Sequence, residues 1–247
     1  MVETRVGNCI HILDRMKRLF DFIFCDPPYN MNIDYGSSVV NDNMSDLDYR
    51  QFTETWMAAC ADRLQPFGTL WILVPEQHAR LVESTAIMLG LKKRGRIIWR
   101  ETFGNYNESW FPGGHRHLFA FSTCIRGHNP TWNKDDIRVP SARQTKYKDK
   151  RANPKGRVPD DVWDFPRVCG TFKERQKGFP TQLPKELLRR CILATSHPGD
   201  LCLDPMMGSG TTGVVAKETG RRFVGIDLIA SNVEKAAVRI RKTKKIK

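Results

Sequence analysis

The sequence predicts an α/β fold, one domain of strands alternating with helices, plus an insertion. Three observations carry this. Short apolar runs that read as buried strands alternate along the chain with stretches of helical periodicity. One complete βαβ unit stands near the carboxyl end: strand Leu201–Leu203, a Gly-Ser-Gly loop, helix Thr212–Glu218, and strand Arg222–Ile226 closed by Asp227. The 247 residues suffice for one sizeable core plus an insertion.

In order, Thr4–Gly7 reads as a short strand and turn, and helical periodicity runs from Ile10 through Leu13, Met16 and Leu19. The apolar run Phe22–Cys25 is a buried strand stopped by Asp26-Pro27-Pro28. A long polar loop, Asn30 to Ser45 with Gly36-Ser37-Ser38 at its middle, has the character of a lid or substrate-gripping segment. Helix resumes at Asp46 with Leu47, Phe52, Trp56, Ala59, Cys60 and Leu64 roughly on one side, and Pro66-Phe67-Gly68 turns it into strand Thr69–Val74. A helix from about His78 to Leu89 closes at Gly90, and strands Arg96–Trp99 and Leu118–Ile125 form an antiparallel edge hairpin around Pro112-Gly113-Gly114. After the changed pattern of Arg126–Lys177, a helix opens at Pro184 and precedes the βαβ unit, and a last helix, Ser231–Arg241, leads to a frayed Lys-rich tail.

The formal charge of +13 and a pI of about 9.6 favour a nucleic-acid partner. No apolar run reaches membrane-spanning length and Met1–Thr4 is no signal peptide, so the expectation is a soluble, cytoplasmic protein. Seven scattered cysteines without a C-x-x-C pair read as buried free thiols in a reducing compartment. His115-Arg116-His117 invites a metal reading, but no third ligand stands at a supporting spacing, and no metal is expected.

Two stretches carry chemistry. At Asp26-Pro27-Pro28-Tyr29-Asn30 the prolines supply no N–H and fix the backbone, so a carboxylate, carbonyls with few competing donors and an aromatic ring gather at a strand's carboxyl end, where open α/β sheets place ligands. The bland alternative is a turn that ends a strand. At Asp204-Pro205-Met206-Met207-Gly208-Ser209-Gly210-Thr211-Thr212 the glycines permit close backbone approach, and Asp227, about twenty positions on, suits two ribose hydroxyls. No lysine follows the loop as in a triphosphate-gripping loop, and Asp204 would repel a pyrophosphate but welcome an ammonium or sulfonium, which points to S-adenosylmethionine.

Between Arg126 and Lys177, Arg138, Arg143, Lys146, Lys148, Lys150, Arg151, Lys155 and Arg157 are interleaved with Trp132, Tyr147 and Trp163, a composition suited to phosphate contact and base stacking, or alternatively to a solvated insertion.

DPPYN followed far downstream by DPMMGSGTT resembles the β-class of DNA amino-methyltransferases, and the likeness spans almost the whole chain. The resemblance implies a Rossmann-like S-adenosylmethionine-dependent methyltransferase fold with a seven-stranded, mostly parallel sheet and an antiparallel edge hairpin. It also implies one permuted domain, with a catalytic half (1–125), a target-recognition insertion (126–180) and a cofactor half (181–247). Asp26, Pro27, Pro28 and Tyr29 would be catalytic. Asn8, Asp26, Thr181, Asp204, Met206, Gly208, Ser209, Gly210, Thr211 and Asp227 would bind the cofactor, while Arg138, Arg143, Lys146, Lys148, Arg151, Lys155 and Arg157 would meet double-stranded DNA. Leu183, Met206, Asn8 and Asn232 depart from the family's usual residues. An aspartate heading the first motif goes more often with adenine, so the implied reaction is methylation of the 6-amino group of a flipped-out adenine. Cytosine, structured RNA and a non-catalytic binding subunit remain as alternatives. Members of this family often form homodimers.

Overall fold

The structure is a computed structural model that describes residues 1–35, 42–101, 108–123 and 129–246. Its centre is an eight-stranded sheet in the order β1-β8-β7-β2-β3-β5-β4-β6. The strands are β1 (Val2–Val6), β2 (Phe20–Cys25), β3 (Leu64–Val74), β4 (Leu91–Arg100), β5 (His115–Thr123), β6 (Val162–Asp164), β7 (Leu201–Asp204) and β8 (Arg222–Asp227). The helices are α1 (Cys9–Asp14), α2 (Asp46–Ala61), α3 (Glu76–Met88), α4 (Ala142–Thr145), α5 (Lys185–Thr195), α6 (Thr211–Glu218) and α7 (Ala230–Lys242).

All neighbours pair in parallel except β5, which runs antiparallel to β3 and β4. The eighth strand exceeds the expected seven. It is β6, three residues from the basic insertion that pair in parallel with Ile98–Arg100. The hairpin is therefore not at the sheet's edge, because β6 covers β4. Its strands also begin earlier than their apolar residues suggest, since Lys92, Lys93 and His115 belong to the ladder despite their polarity.

β2 is covered on both faces, which is why it reads as an almost unbroken apolar run. Ile23 and Cys25 face one core with Leu13, Trp56, Met57 and Val82 of α1, α2 and α3. Phe22 and Phe24 face the other with Leu188, Ile192, Val215 and Ile240 of α5, α6 and α7. At β3 the expected turn at Pro66-Phe67-Gly68 is instead a shifted register opposite β2, with Phe67 at φ +71°. The helix expected from Ile10 to Leu19 stops at Asp14. Cys25, Cys60, Cys191 and Cys202 are buried free thiols, and burial holds Cys25 and Cys191 far above an ordinary thiol pKa. Gly36-Ser37-Ser38, Cys124, Ile125 and Arg126 lie outside the described residues. No described helix is long and apolar enough to cross a membrane.

The placement that matters for function is the pairing of β2 with β7, in register Phe22↔Cys202 and Ile23↔Leu203. From this pair the chain winds outward both ways, through α2 to β3 and through α6 to β8. Such a reversal leaves a crevice at the carboxyl ends of the two strands. The other end of the pair is fastened by Asp21, whose Oδ2 accepts the Leu201 N–H at 2.8 Å. Asp21→Ala is expected to destabilise the fold by about 1–3 kcal/mol, the worth of a hydrogen bond to a charged group, read as a lower urea midpoint at unchanged slope.

Candidate active site

Asp26 follows directly on β2, and Asp204 is the last residue of β7. A cavity of about 360 Å³ opens between them. Asp26, Pro27, Pro28 and Tyr29 form one wall, and Asp204 to Ser209, Thr211 and Asp227 form another. Asn8, Met44, Phe52, Phe179, Thr181 and Ile229 are among the other lining residues. The two stretches singled out in the sequence, far apart along the chain, thus share one space.

The Asp26–Tyr29 corner is held from outside. The Pro28 carbonyl accepts the Tyr49 hydroxyl at 3.0 Å, and the Tyr29 carbonyl lies 2.6 Å from His78 Nε2 on the first turn of α3. No hydrogen bond ties the Pro27 carbonyl among the described residues. Tyr29 Oη donates to Asp26 Oδ1, which leaves Oδ2 without a hydrogen-bond partner among them. One face of the Tyr29 ring is covered by the Arg116 guanidinium, 4.8 Å from the centroid, so a base that stacks on Tyr29 must use the other face. Arg116 is anchored in turn by buried Glu101 at 2.9 Å. Beyond the corner, Asp42 accepts the N–H groups of Asn30, Met31 and Ile33, and the Asn30 side chain bridges the backbone of Met44.

The glycine loop is braced by two carboxylates. Asp204 accepts the Thr212 hydroxyl at 2.5 Å and the Met206 N–H at 3.1 Å. Asp227 accepts the N–H groups of Gly208 (2.8 Å) and Ile229 (2.9 Å). Both acids therefore shape the loop as well as facing the cavity, a role the sequence reading did not assign. Gly210 needs correction, because it does not line the cavity. It caps α6 at φ +73°, where an added Cβ would lie 2.8 Å from the Cβ of Ala236, so its lack of a side chain serves the approach of α7. Asn8 lines the cavity while its side chain caps α1 by accepting the Ile10 N–H.

Neither Asp204 nor Asp227 is paired with a basic side chain among the described residues. Burial pushes Asp204 up to about 7, against the pull of its Thr212 and Met206 bonds. Burial likewise pushes Asp26 up to about 6, against the Tyr29 hydrogen bond and the charge of Arg116. Asp227 is also raised, first by burial. A cavity of this size with unpaired buried carboxylates and apolar stretches at Met206, Phe179 and Leu228 fits a cationic nucleoside, the chemistry of S-adenosylmethionine.

The basic insertion is folded on itself. Arg143 and Arg151 share Asp149, Arg157 pairs with Asp160, and Lys146 lies over Tyr147. These groups, with Lys148 and Lys155, are exposed, and surface pairs of this kind exchange readily for a phosphate. Arg138 is different: it is half-buried, bonded to Asp135 and to the Gly156 carbonyl at 2.8 Å, and it closes the 135–157 loop. Trp163 also departs from the expected stacking role. It sits on β6, buried against Trp71, with its indole N–H on the Asp160 carbonyl, whereas Trp132 and Tyr147 remain exposed.

Comparison with known proteins agrees with this geometry. The family model described as DNA methylase matches residues 20–238. The chain belongs to the DNA methylase family. Among its relatives, Type II methyltransferase M.HpaI of Haemophilus parainfluenzae is 33% identical over 94% of this chain and 73% of its own length. Type II methyltransferase M1.MboII of Moraxella bovis is 31% identical over 93% of this chain and 92% of its own. Among solved structures, the M1.HpyAVI–SAM complex superposes with a TM-score of 0.68 at 21% identity, covering 97% of this chain and 99% of that one. The PvuII cytosine-N4-specific DNA methyltransferase superposes at 0.71 with 14% identity, covering 96% and 86%.

Within this DNA methylase, Arg116, His78, Tyr49 and Glu101 are the residues that motif reading missed. They come from elements remote in sequence, and only the strand register assembles them.

The raised pKa of Asp26 has two measurable consequences. Its folded-state value of about 6 exceeds the ordinary 3.8, so the folded state holds the proton more tightly and stability falls as pH rises between those values. Asp26→Asn should therefore unfold at higher urea than wild type at pH 7, by up to about 2 kcal/mol, while losing methyl transfer. In wild type, methyl transfer should fall as pH drops through about 6, because only the ionised carboxylate accepts two donors. Arg116→Ala should move that acid limb upward, since it removes a cation that favours the carboxylate.

Proposed function

We propose that this DNA methylase is a site-specific Type II enzyme of a restriction-modification pair, methylating the 6-amino group of an adenine flipped out of double-stranded DNA. The observation that carries the reading is the single cavity shared by the Asp26–Tyr29 corner and the Asp204–Thr211 loop. The bound cofactor, S-adenosylmethionine, supplies a methyl group already activated on a sulfonium. Asp204, Met206, Gly208, Ser209, Thr211 and Asp227 would hold it, with Thr181 and Asn8 on the rim.

The chain's own part is alignment. The exocyclic amine of an extrahelical base presents two hydrogens, one to Asp26 Oδ2 and one to the Pro27 carbonyl. Both acceptors sit on a backbone stiffened by adjacent prolines, and both lack a hydrogen-bond partner among the described residues. Accepting those hydrogens shifts the nitrogen from flat and conjugated towards pyramidal and directs its lone pair into the cavity. As positive charge grows on the nitrogen, the Asp26 carboxylate opposes it in a site shielded from water. A carboxylate with a pKa near 6 is then basic enough to take the surplus amine proton. The open face of Tyr29 stacks on the base, and the exposed groups Arg143, Lys146, Lys148, Arg151, Lys155 and Arg157 suit the phosphate backbone.

The relatives' names support the Type II context, and Asp26 at the head of the motif supports adenine. The test is digestion to nucleosides of DNA methylated by the purified protein. N6-methyl-2′-deoxyadenosine is expected. N4-methyl-2′-deoxycytidine would overturn the choice of base, and transfer to RNA in preference to DNA would overturn the substrate. Asp26→Ala should abolish transfer of a tritiated methyl group while leaving DNA binding within about twofold, and equal transfer by the variant would remove Asp26 from its role.

A further inference from the structure

A second cluster of chemistry-bearing side chains stands just outside this cavity. His115 and His117 are alternate residues of β5 and therefore share one face of the sheet. Their rings are 5.1 Å apart and inclined at 74°. β5 runs antiparallel to β3 with Val74 opposite His117, so the chain that leaves β3 through Pro75 delivers Glu76, the first residue of α3, beside both imidazoles. Glu76 Oε2 lies 3.9 Å from His115 Nε2 and closer still to His117 Nε2. One ligating atom from each of the three falls within 4.8 Å of the other two.

His117 makes this more than a surface cluster. It is 3% exposed and its ring nitrogens lack hydrogen-bond partners, Nε2 instead making a close ion-pair contact with the Glu76 carboxylate. Buried imidazole nitrogens are normally satisfied. A cation ligated by Nε2 and by a Glu76 carboxylate that draws back to share it would satisfy both groups. Two imidazole nitrogens and one carboxylate oxygen, with the remaining positions open to solvent, form the donor set of a borderline first-row divalent cation. Glu76 and His115 are exposed, which gives such an ion a way in.

We infer that Glu76, His115 and His117 form a binding site for a zinc-class divalent cation, placed to fasten the root of β5 to the first turn of α3. The location gives the site a consequence for the active corner. Arg116, between the two histidines, covers the Tyr29 ring, and His78, two residues after Glu76, holds the Tyr29 carbonyl. An ion there would fix both supports of Tyr29 at once. The expectation of no metal, drawn from ligand spacing along the chain, could not see this, since Glu76 is brought in by strand register.

The test uses the full-length protein, stripped with a chelator and dialysed against Zn²⁺, with metal content measured per chain and thermal unfolding followed in parallel. One Zn²⁺ per chain and a raised unfolding midpoint are expected. His115→Ala and Glu76→Gln, both at exposed positions, should keep the fold but weaken Zn²⁺ binding by at least about tenfold. Co²⁺ substitution should give a visible d–d spectrum without the near-ultraviolet thiolate band that cysteine ligation would add. Less than stoichiometric zinc, binding unchanged in both variants, or a thiolate band would overturn the site. None of these readouts depends on methyl transfer, so the inference stands or falls apart from the proposed activity.

Discussion

Everything in the active region depends on one strand pair. β2 and β7 are hydrogen-bonded neighbours, and their carboxyl ends release the two stretches, Asp26–Tyr29 and Asp204–Thr212, that line the cavity. A strand's side chains alternate with period two, so a slip of one residue in this register would exchange the faces of Phe22, Ile23, Phe24 and Cys25. Both faces are packed, one by Trp56 and Met57 and the other by Leu188, Ile192 and Val215. The cores thus act as the lock on the cavity: each layer of helices opposes the slip that would pull Asp26 away from Asp204.

The second constraint is electrostatic. Three carboxylates line one cavity, and Arg116 is the cation that acts on Asp26. Burial raises all three, and the proximity of Asp26 and Asp227 raises Asp204 further. Three buried carboxylates in one cavity cost the fold stability at neutral pH, as binding sites commonly do. A cationic group would relieve their repulsion, and a pyrophosphate would add to it.

Much of this was legible in the sequence, because the decisive signals are local. Asp26 through Tyr29 and Asp204 through Thr212 are contiguous, and their prolines and glycines report backbone shape directly. What could not be read is whatever depends on register. β6 has three residues and no apolar periodicity, and it is a strand because Ile98–Arg100 offers it an edge. Trp163 was read with its basic neighbours, but it is carried into the core by that same short ladder. Arg138 looked like one more phosphate contact and instead closes a loop on Asp135 and Gly156. The partners of Tyr29 come from α3 and β5, beyond the reach of any local pattern. Gly210 had the right residue type for a ligand loop, but its reason is a helix contact.

The most direct measurement of the central claim is a crystal structure with an S-adenosylmethionine analogue that carries an amine in place of the sulfonium methyl. The adenosine is expected to lie along Met206 to Gly208 and Asp227, with the amine directed at the Asp26 carboxylate and the Pro27 carbonyl. An analogue seated outside the space between β2 and β7, or pointing its amine away from the proline corner, would contradict the claim.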